Sequence, residues 1–135
     1  MTITPDTNML VRLVMEDDRE QLATAQAELA AASRVALSLA ALCELSWVLS
    51  SYYRLTRTQL AEAIGALGEA DNVVVDRGAV EVGLTMLARG GDFADGVIAS
   101  QGAALGGETF VSFDRRAVRL LKDQGLAARA PQQPR

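Results

Sequence analysis

Acidic side chains are the groups most able to do chemistry in this 135-residue chain, because it contains no histidine and a single cysteine, Cys43. The lack of histidine excludes Ser-His-Asp and Cys-His nucleophilic sites, paired-histidine ribonuclease sites and histidine zinc sites. Carboxylates suit Mg²⁺, which prefers oxygen ligands in octahedral geometry. A carboxylate-bound dication activates a water nucleophile and stabilises the charge on an attacked phosphate. The composition therefore favours metal-dependent hydrolysis of a phosphodiester.

Several of these acids come directly after segments that resemble strands. Asp6, Asp76 and Asp114 each follow such a segment, and Asp92 and Asp95 lie three residues apart at the start of a predicted helix. Ligands of open α/β sheets bind outside the carboxyl ends of the strands, so we expect these carboxylates to lie at that edge. An aspartate before a helix is also an ordinary N-cap. For each aspartate taken alone, capping and metal binding both remain open.

Glu44 is the only charged residue between Val35 and Tyr53. We expect a helix buried on all sides here, where an unpaired carboxylate is costly or is forced to become neutral. A hard divalent ion shared with other carboxylates is an economical explanation for such a residue. The alternative is a glutamate at the exposed edge of the helix, or one paired with an arginine such as Arg54.

The elements that must position these acids alternate between strands and helices. Short apolar runs predict strands over 2–5, 35–39, 72–75, 108–113 and 126–130. Helical periodicity and composition predict helices over 6–16, 19–32, 40–53, 56–69, 77–88, 92–105 and 115–122. Strands that are short and nearly continuously apolar indicate a parallel sheet with helices on both faces. The predicted fold class is therefore α/β, with a central parallel sheet of four or five short strands.

Composition and charge bound the remaining properties. The length predicts one domain over 1–130, followed by a flexible tail over 131–135. A net charge of −4 argues against a nucleic-acid grip by the whole surface. Locally, Arg115 and Arg116, with Arg119 and Lys122, form a basic stretch that can contact RNA phosphates or serve only as a solvated helix face. The lone cysteine and the absence of an export signal or membrane segment predict a cytoplasmic protein.

Four segments resemble the PIN-domain ribonucleases, especially the VapC-type toxins of toxin-antitoxin pairs. They are DTNMLVRL (6–13), LCELSWVL (42–49), DFADGVIAS (92–100) and TFVSFDRR (109–116). The resemblance covers essentially the whole chain in the same order, and it implies a PIN-like three-layer fold. It further implies that four acids bind Mg²⁺ or Mn²⁺ and carry catalysis: Asp6, Glu44, Asp95 and Asp114.

Other residues beside the acids also match or depart from the pattern. Thr7 and Asn8 match the polar pair after the first acid, and Ser112 stands where the family commonly has Thr. The Ser112 hydroxyl can orient a water or a phosphate oxygen. Asp92 is an additional acid, which either joins the metal site or caps its helix. Pro5 departs from the apolar residue usual before the first acid.

The resemblance implies a homodimeric, metal-dependent endoribonuclease that cleaves RNA and is kept silent by a cognate antitoxin protein. The alternative is a catalytically silent PIN-like module that dimerises and associates with a DNA-binding antitoxin. Phosphoacceptor receiver domains are disfavoured because Lys122 is poorly placed, and DxD phosphatases because Asn8 stands where they need an acid. Trp47, Tyr52 and Tyr53 are interpreted as core or dimer contacts in preference to base-stacking platforms.

Overall fold

The computed structural model describes residues 1–134, which contain seven helices and five short strands, with two helices after each of the first three strands. The strands are β1 (Thr2–Ile3), β2 (Arg34–Ala36), β3 (Val73–Val74), β4 (Phe110–Val111) and β5 (Ala128–Arg129). The helices are α1 (Thr7–Met15), α2 (Arg19–Ala31), α3 (Leu39–Ser51), α4 (Arg57–Leu67), α5 (Arg77–Ala88), α6 (Phe93–Ala104) and α7 (Arg115–Asp123). The predicted order of strands and helices is confirmed.

The chain divides into two compact units, Met1–Asp76 and the part that begins at Arg77. The single domain predicted over 1–130 stays a prediction. Residues 131–134 have no regular secondary structure, and Arg135, the last residue of the predicted tail, lies outside the described residues.

All strand pairs are parallel, which confirms the predicted α/β class. In the first unit β2 lies between β1 and β3, with Val35 opposite both Ile3 and Val73. In the second unit β4 pairs with β5, with Phe110 opposite Ala128. The five strands thus form a three-stranded and a two-stranded sheet. Each strand has only two or three residues and makes few ladder hydrogen bonds, so the helices must supply most of the packing.

In the first unit, α1 packs on α2 and α3, and α3 packs on α4. Its core contains Leu10 of α1 and the stripe Leu42, Leu45 and Leu49 of α3, all nearly inaccessible to solvent. Thr56 and Gln59 form a capping box that begins α4, since each side chain accepts from the other residue's backbone N–H. These contacts fix the positions of α1 and α3, which carry Asp6 and Glu44.

Arg12 links the end of α1 to the segment after α3. Its Nη1 donates to Asp17 Oδ1 at 2.8 Å, and its Nη2 donates to the Tyr53 hydroxyl at 2.8 Å. The Tyr53 ring meets Tyr52 edge to face, with centroids 4.9 Å apart. Arg12 is half-buried, so its two hydrogen bonds are partly shielded from water.

In the second unit, α5 and α6 pack closely and α7 packs on both. Phe93, Met86 and Leu121 are fully buried among these helices. The turn between α5 and α6 uses Gly90 at φ +90°, a conformation that glycine adopts without strain. This turn places Asp92 at the start of α6.

Candidate metal site

Three of the predicted acids are helix N-caps in the structure. Asp6 Oδ1 accepts from the backbone N–H of Met9 at 3.0 Å, and Asp114 Oδ1 accepts from that of Ala117 at 3.1 Å. Asp92 Oδ1 makes a longer hydrogen bond of 3.4 Å with the N–H at residue 94. The capping interpretation is therefore confirmed for all three. A cap engages one carboxylate oxygen, so capping does not exclude metal binding through the other.

Asp95 differs from these residues because it caps nothing. It lies in the first turn of α6 and is half-buried. Burial raises the pKa of its carboxyl above the usual value near 3.8, and the negative charges of Asp92 and then Asp114 raise it further. We call Asp92, Asp95 and Asp114 the Asp95 cluster. Its members are close enough for their charges to repel, which is the condition that a cation relieves.

Two side chains fix the backbone around the Asp95 cluster. Ser112 Oγ accepts from the Asp114 N–H at 3.0 Å, which orders the turn before α7. Arg116 Nη1 donates to the Gly90 carbonyl at 3.2 Å and so ties the start of α7 to the turn before α6. The sequence predicts a water or phosphate contact for Ser112 and an RNA contact for Arg116; it gives no signal for these bonds to the backbone. Arg115 beside them is exposed.

Glu44 is exposed, so the prediction that its carboxylate is buried is wrong. Leu42, Leu45 and Leu49 form the buried stripe of α3, and Glu44 lies on another face with Trp47, whose side chain is 67% exposed. The helical spacing of the leucines was the signal that could have placed Glu44 outside the core. Because water already solvates this carboxylate, its charge alone no longer demands a cation.

The residues that follow Asp6 lie at the start of α1. Thr7 is half-buried, whereas Asn8 is exposed. Asn8 and Asp6 line a cleft of about 450 Å³ between α1 and α2, which also contains Glu20 and Glu28. The other strand-end acid, Asp76, is exposed before α5.

Across residues 1–134, no group of three or more Asp, Glu or Cys side chains has its donor atoms gathered as metal ligands. Asp6 and Glu44 belong to the first unit, and Asp95 and Asp114 belong to the second. Within the second unit, Asp92 and Asp114 raise the pKa of Asp95 in addition to the larger effect of its burial. The four-acid metal site of the sequence analysis stays a prediction.

Comparison with known proteins identifies the family. The sequence profile of the PIN domain matches residues 3–122, which is most of the chain. No curated protein matches the chain. PIN domains are in general metal-dependent nucleases, so the match supports a nuclease reaction on RNA or another nucleic acid. None of the helices described for residues 1–134 has the length and apolar character needed to cross a membrane. The chain belongs to the PIN domain family.

Proposed function

We propose that this protein is a metal-dependent endoribonuclease and the toxin of a toxin-antitoxin pair. The observation that carries the nuclease proposal is the Asp95 cluster, in which a half-buried carboxylate is held beside two others in a chain with a PIN-domain sequence. Structural caps explain Asp92 and Asp114, but capping gives no reason to bury Asp95 beside them.

The donor set fits a hard dication. All proposed ligands are carboxylates, which Mg²⁺ and Mn²⁺ prefer. Burial raises the pKa of Asp95, and repulsion from Asp92 and Asp114 raises it further; a bound cation would offset both. We propose Asp95 and Asp114 as ligands in the second unit, with Asp92 beside them. Asp6 and Glu44 are proposed as the other two ligands on the strength of the motif resemblance.

The chemistry would be hydrolysis of a phosphodiester, in which a water oxygen bonds to phosphorus and the P–O ester bond to the leaving oxygen breaks. A bound dication supplies charge stabilisation and lowers the pKa of water. The chain's own residues hold the geometry: the Ala117 N–H fixes the orientation of the Asp114 carboxylate, and the Ser112 hydroxyl fixes the turn before it. Arg115 is exposed at the start of α7, and we propose that its guanidinium donates to a phosphate oxygen of the RNA.

The toxin role, the antitoxin partner and a homodimeric, cytoplasmic form rest on the four segments that resemble VapC-type toxins. An acidic site suits inhibition by a partner that inserts an arginine, because a guanidinium replaces the charge of the cation. RNA is the proposed substrate.

The nuclease proposal is tested with purified, antitoxin-free protein on structured RNA, with Mg²⁺ or Mn²⁺ and with EDTA. We expect cleavage only with metal, and a loss of roughly 100-fold or more in Asp6→Asn, Glu44→Gln, Asp95→Asn and Asp114→Asn. Asp123→Asn and Glu62→Gln remove exposed acids outside this set and should cleave like the wild type. Equal cleavage in EDTA, or in all variants, contradicts the proposal. RNA left intact by folded wild-type protein in both metals favours the silent binding module.

The toxin proposal needs its own experiment. Expression of the wild type should arrest bacterial growth, expression of Asp95→Asn should not, and co-expression of a DNA-binding protein encoded beside this gene should restore growth. Growth arrest by both forms would show that the effect does not depend on RNA cleavage.

A further inference from the structure

Trp47 is the only tryptophan of the chain, and it is exposed. A tryptophan at 67% exposure keeps a large apolar ring in water, which is unfavourable unless something covers the ring. From the sequence, Trp47 is predicted to be a core or dimer contact. The exposure of its side chain excludes the core.

The surroundings of Trp47 are polar. On α3 the residues one turn away on either side are Cys43, Glu44, Ser50 and Ser51, of which the last three are exposed. Tyr52, the exposed aromatic residue that ends α3, lies five positions after Trp47. Five positions rotate it by about 140° around the helix axis, so it lies on a different side of α3. The core of a subunit interface is depleted of charge and needs about 800 Å² from each partner. A single indole ring beside a carboxylate and two serines does not have the apolar composition of an interface core, so this face of α3 does not favour a dimer contact.

Glu44 lies three residues before Trp47 on the same exposed face, so their Cβ atoms are neighbours at about 5–6 Å. Bases of a nucleic-acid strand are spaced at about 3.4 Å when stacked. Under the proposed metal site, in which a cation at Glu44 holds the scissile phosphate, a base on the Trp47 ring would lie within about one or two nucleotides of that phosphate.

We propose that the indole of Trp47 stacks on an unpaired base of the RNA substrate, next to the scissile phosphate. This inference rests on the proposed ribonuclease function and names the feature of the substrate that the protein recognises: a single-stranded, splayed-out base. Any of the four bases has a π-face, so the contact selects unpaired RNA over duplex and selects little among sequences.

The test is a titration in EDTA, where the proposed nuclease is inactive, with RNA integrity checked on a gel. A labelled single-stranded RNA oligonucleotide reports affinity by anisotropy, and the single tryptophan reports stacking by fluorescence quenching. We expect saturating quenching at the same midpoint as the anisotropy change. An abasic oligonucleotide of equal length carries the same phosphates and no rings, so it should bind about tenfold more weakly, as Trp47→Leu does, and without quenching.

Substitutions at Trp47 separate the contribution of its indole ring to RNA affinity from the contribution of the surrounding surface. We expect Trp47→Phe, which keeps a π-face, to bind RNA within about threefold of the wild type, and Trp47→Leu to bind about tenfold more weakly. Circular dichroism and size-exclusion chromatography should show both variants folded and in the oligomeric state of the wild type. Tyr52→Leu is the matched control, another exposed aromatic on the same segment, and it should bind like the wild type.

Three results would overturn the proposal: RNA binding without quenching of Trp47, Trp47→Leu binding as tightly as the wild type, or no RNA binding at all. A change of oligomeric state in Trp47→Leu with unchanged RNA affinity would assign the ring to a dimer contact. Failure of the nuclease proposal is seen separately, as the absence of cleavage with Mg²⁺ while quenching in EDTA persists.

Discussion

Gly96 of α6 lies against Gly83 of α5 with no space for a side chain between the two helices. A Cβ at residue 96 would lie 2.7 Å from the Gly83 Cα and 2.8 Å from its backbone nitrogen, closer than real Cβ atoms approach. Asp95 immediately precedes Gly96, so this backbone contact also sets the position of the carboxylate at the centre of the Asp95 cluster.

We expect Gly96→Ala to lower the free energy of unfolding by about 1–3 kcal/mol, because the added methyl meets backbone that must move. Gly102→Ala is the control on the same helix. A Cβ there meets nothing within 4 Å, and replacing a helical glycine by alanine should raise stability by about 0.4–1 kcal/mol. Urea titrations of both variants check this, and a similar change in the two would contradict it.

The two roles of Asp114 are separable by substitution. Asparagine caps a helix about as well as aspartate does, so Asp114→Asn should keep the stability of the wild type while losing RNA cleavage. Asp114→Ala should lose cleavage and also about 1 kcal/mol of stability. Thermal unfolding and a cleavage assay on the same preparations measure both effects. Wild-type cleavage by Asp114→Asn would show that the negative charge is not needed.

Asp95 should destabilise the metal-free protein as the pH rises. Burial, then Asp92 and Asp114, raise its pKa above about 3.8, so the folded state binds this proton more tightly than the unfolded chain. Between the unfolded and folded pKa values the native state holds more protons, and the free energy of unfolding falls with rising pH. The loss of unfolding free energy caused by ionised Asp95 is absent below the pKa that Asp95 has in the unfolded chain. The loss is complete above the pKa that Asp95 has in the folded protein.

Asp95→Asn removes this titration. In EDTA its stability advantage over the wild type should grow as the pH rises from about 3.8 and level off above the raised pKa. Urea titrations at several pH values measure the difference. A constant advantage across the range, or one that shrinks with rising pH, would contradict the assignment.

Tyr53 should contribute to stability through its hydroxyl. Tyr53→Phe leaves one donor of the half-buried Arg12 guanidinium without its partner and should cost about 1 kcal/mol of unfolding free energy. Tyr52→Phe is the matched control, because its side chain is 76% exposed and the edge-to-face ring pair survives in both variants. Equal stability of the two variants, measured by thermal unfolding, would rule out a role for the hydroxyl.

Local sequence signals predicted most of the secondary structure. The predicted helix over 77–88 matches α5 at both ends, and the Gly-Gly pair that follows it closely is the signal for its end. The strands were predicted longer than they are: β4 has two residues where 108–113 was expected. Strand length depends on the ladder partner and not on the run of apolar residues alone, and that partner is set by tertiary packing.

Some features of the candidate site were predictable from the sequence and others were not. The caps at Asp6, Asp92 and Asp114 follow from an acid placed before a helix, and all three are present. Glu44 was misplaced because the apolar content of α3 was weighed without the spacing of its leucines. The bond from Arg116 to the Gly90 carbonyl was beyond sequence reasoning, since it depends on how α5, α6 and α7 pack.

The capping bonds of Asp6 and Asp114 have a consequence for telling active copies of this fold from inactive ones. A descendant that had stopped cutting RNA would still retain an acid or an amide at both positions, since helix initiation alone selects for them. Glu44 and Asp95 cap no helix, so under the proposed nuclease function they are released from selection once catalysis ends. Under the same proposal, substitutions at residues 44 and 95 would mark copies that no longer cleave RNA. An aspartate or asparagine at residues 6 and 114 would not distinguish active copies from inactive ones.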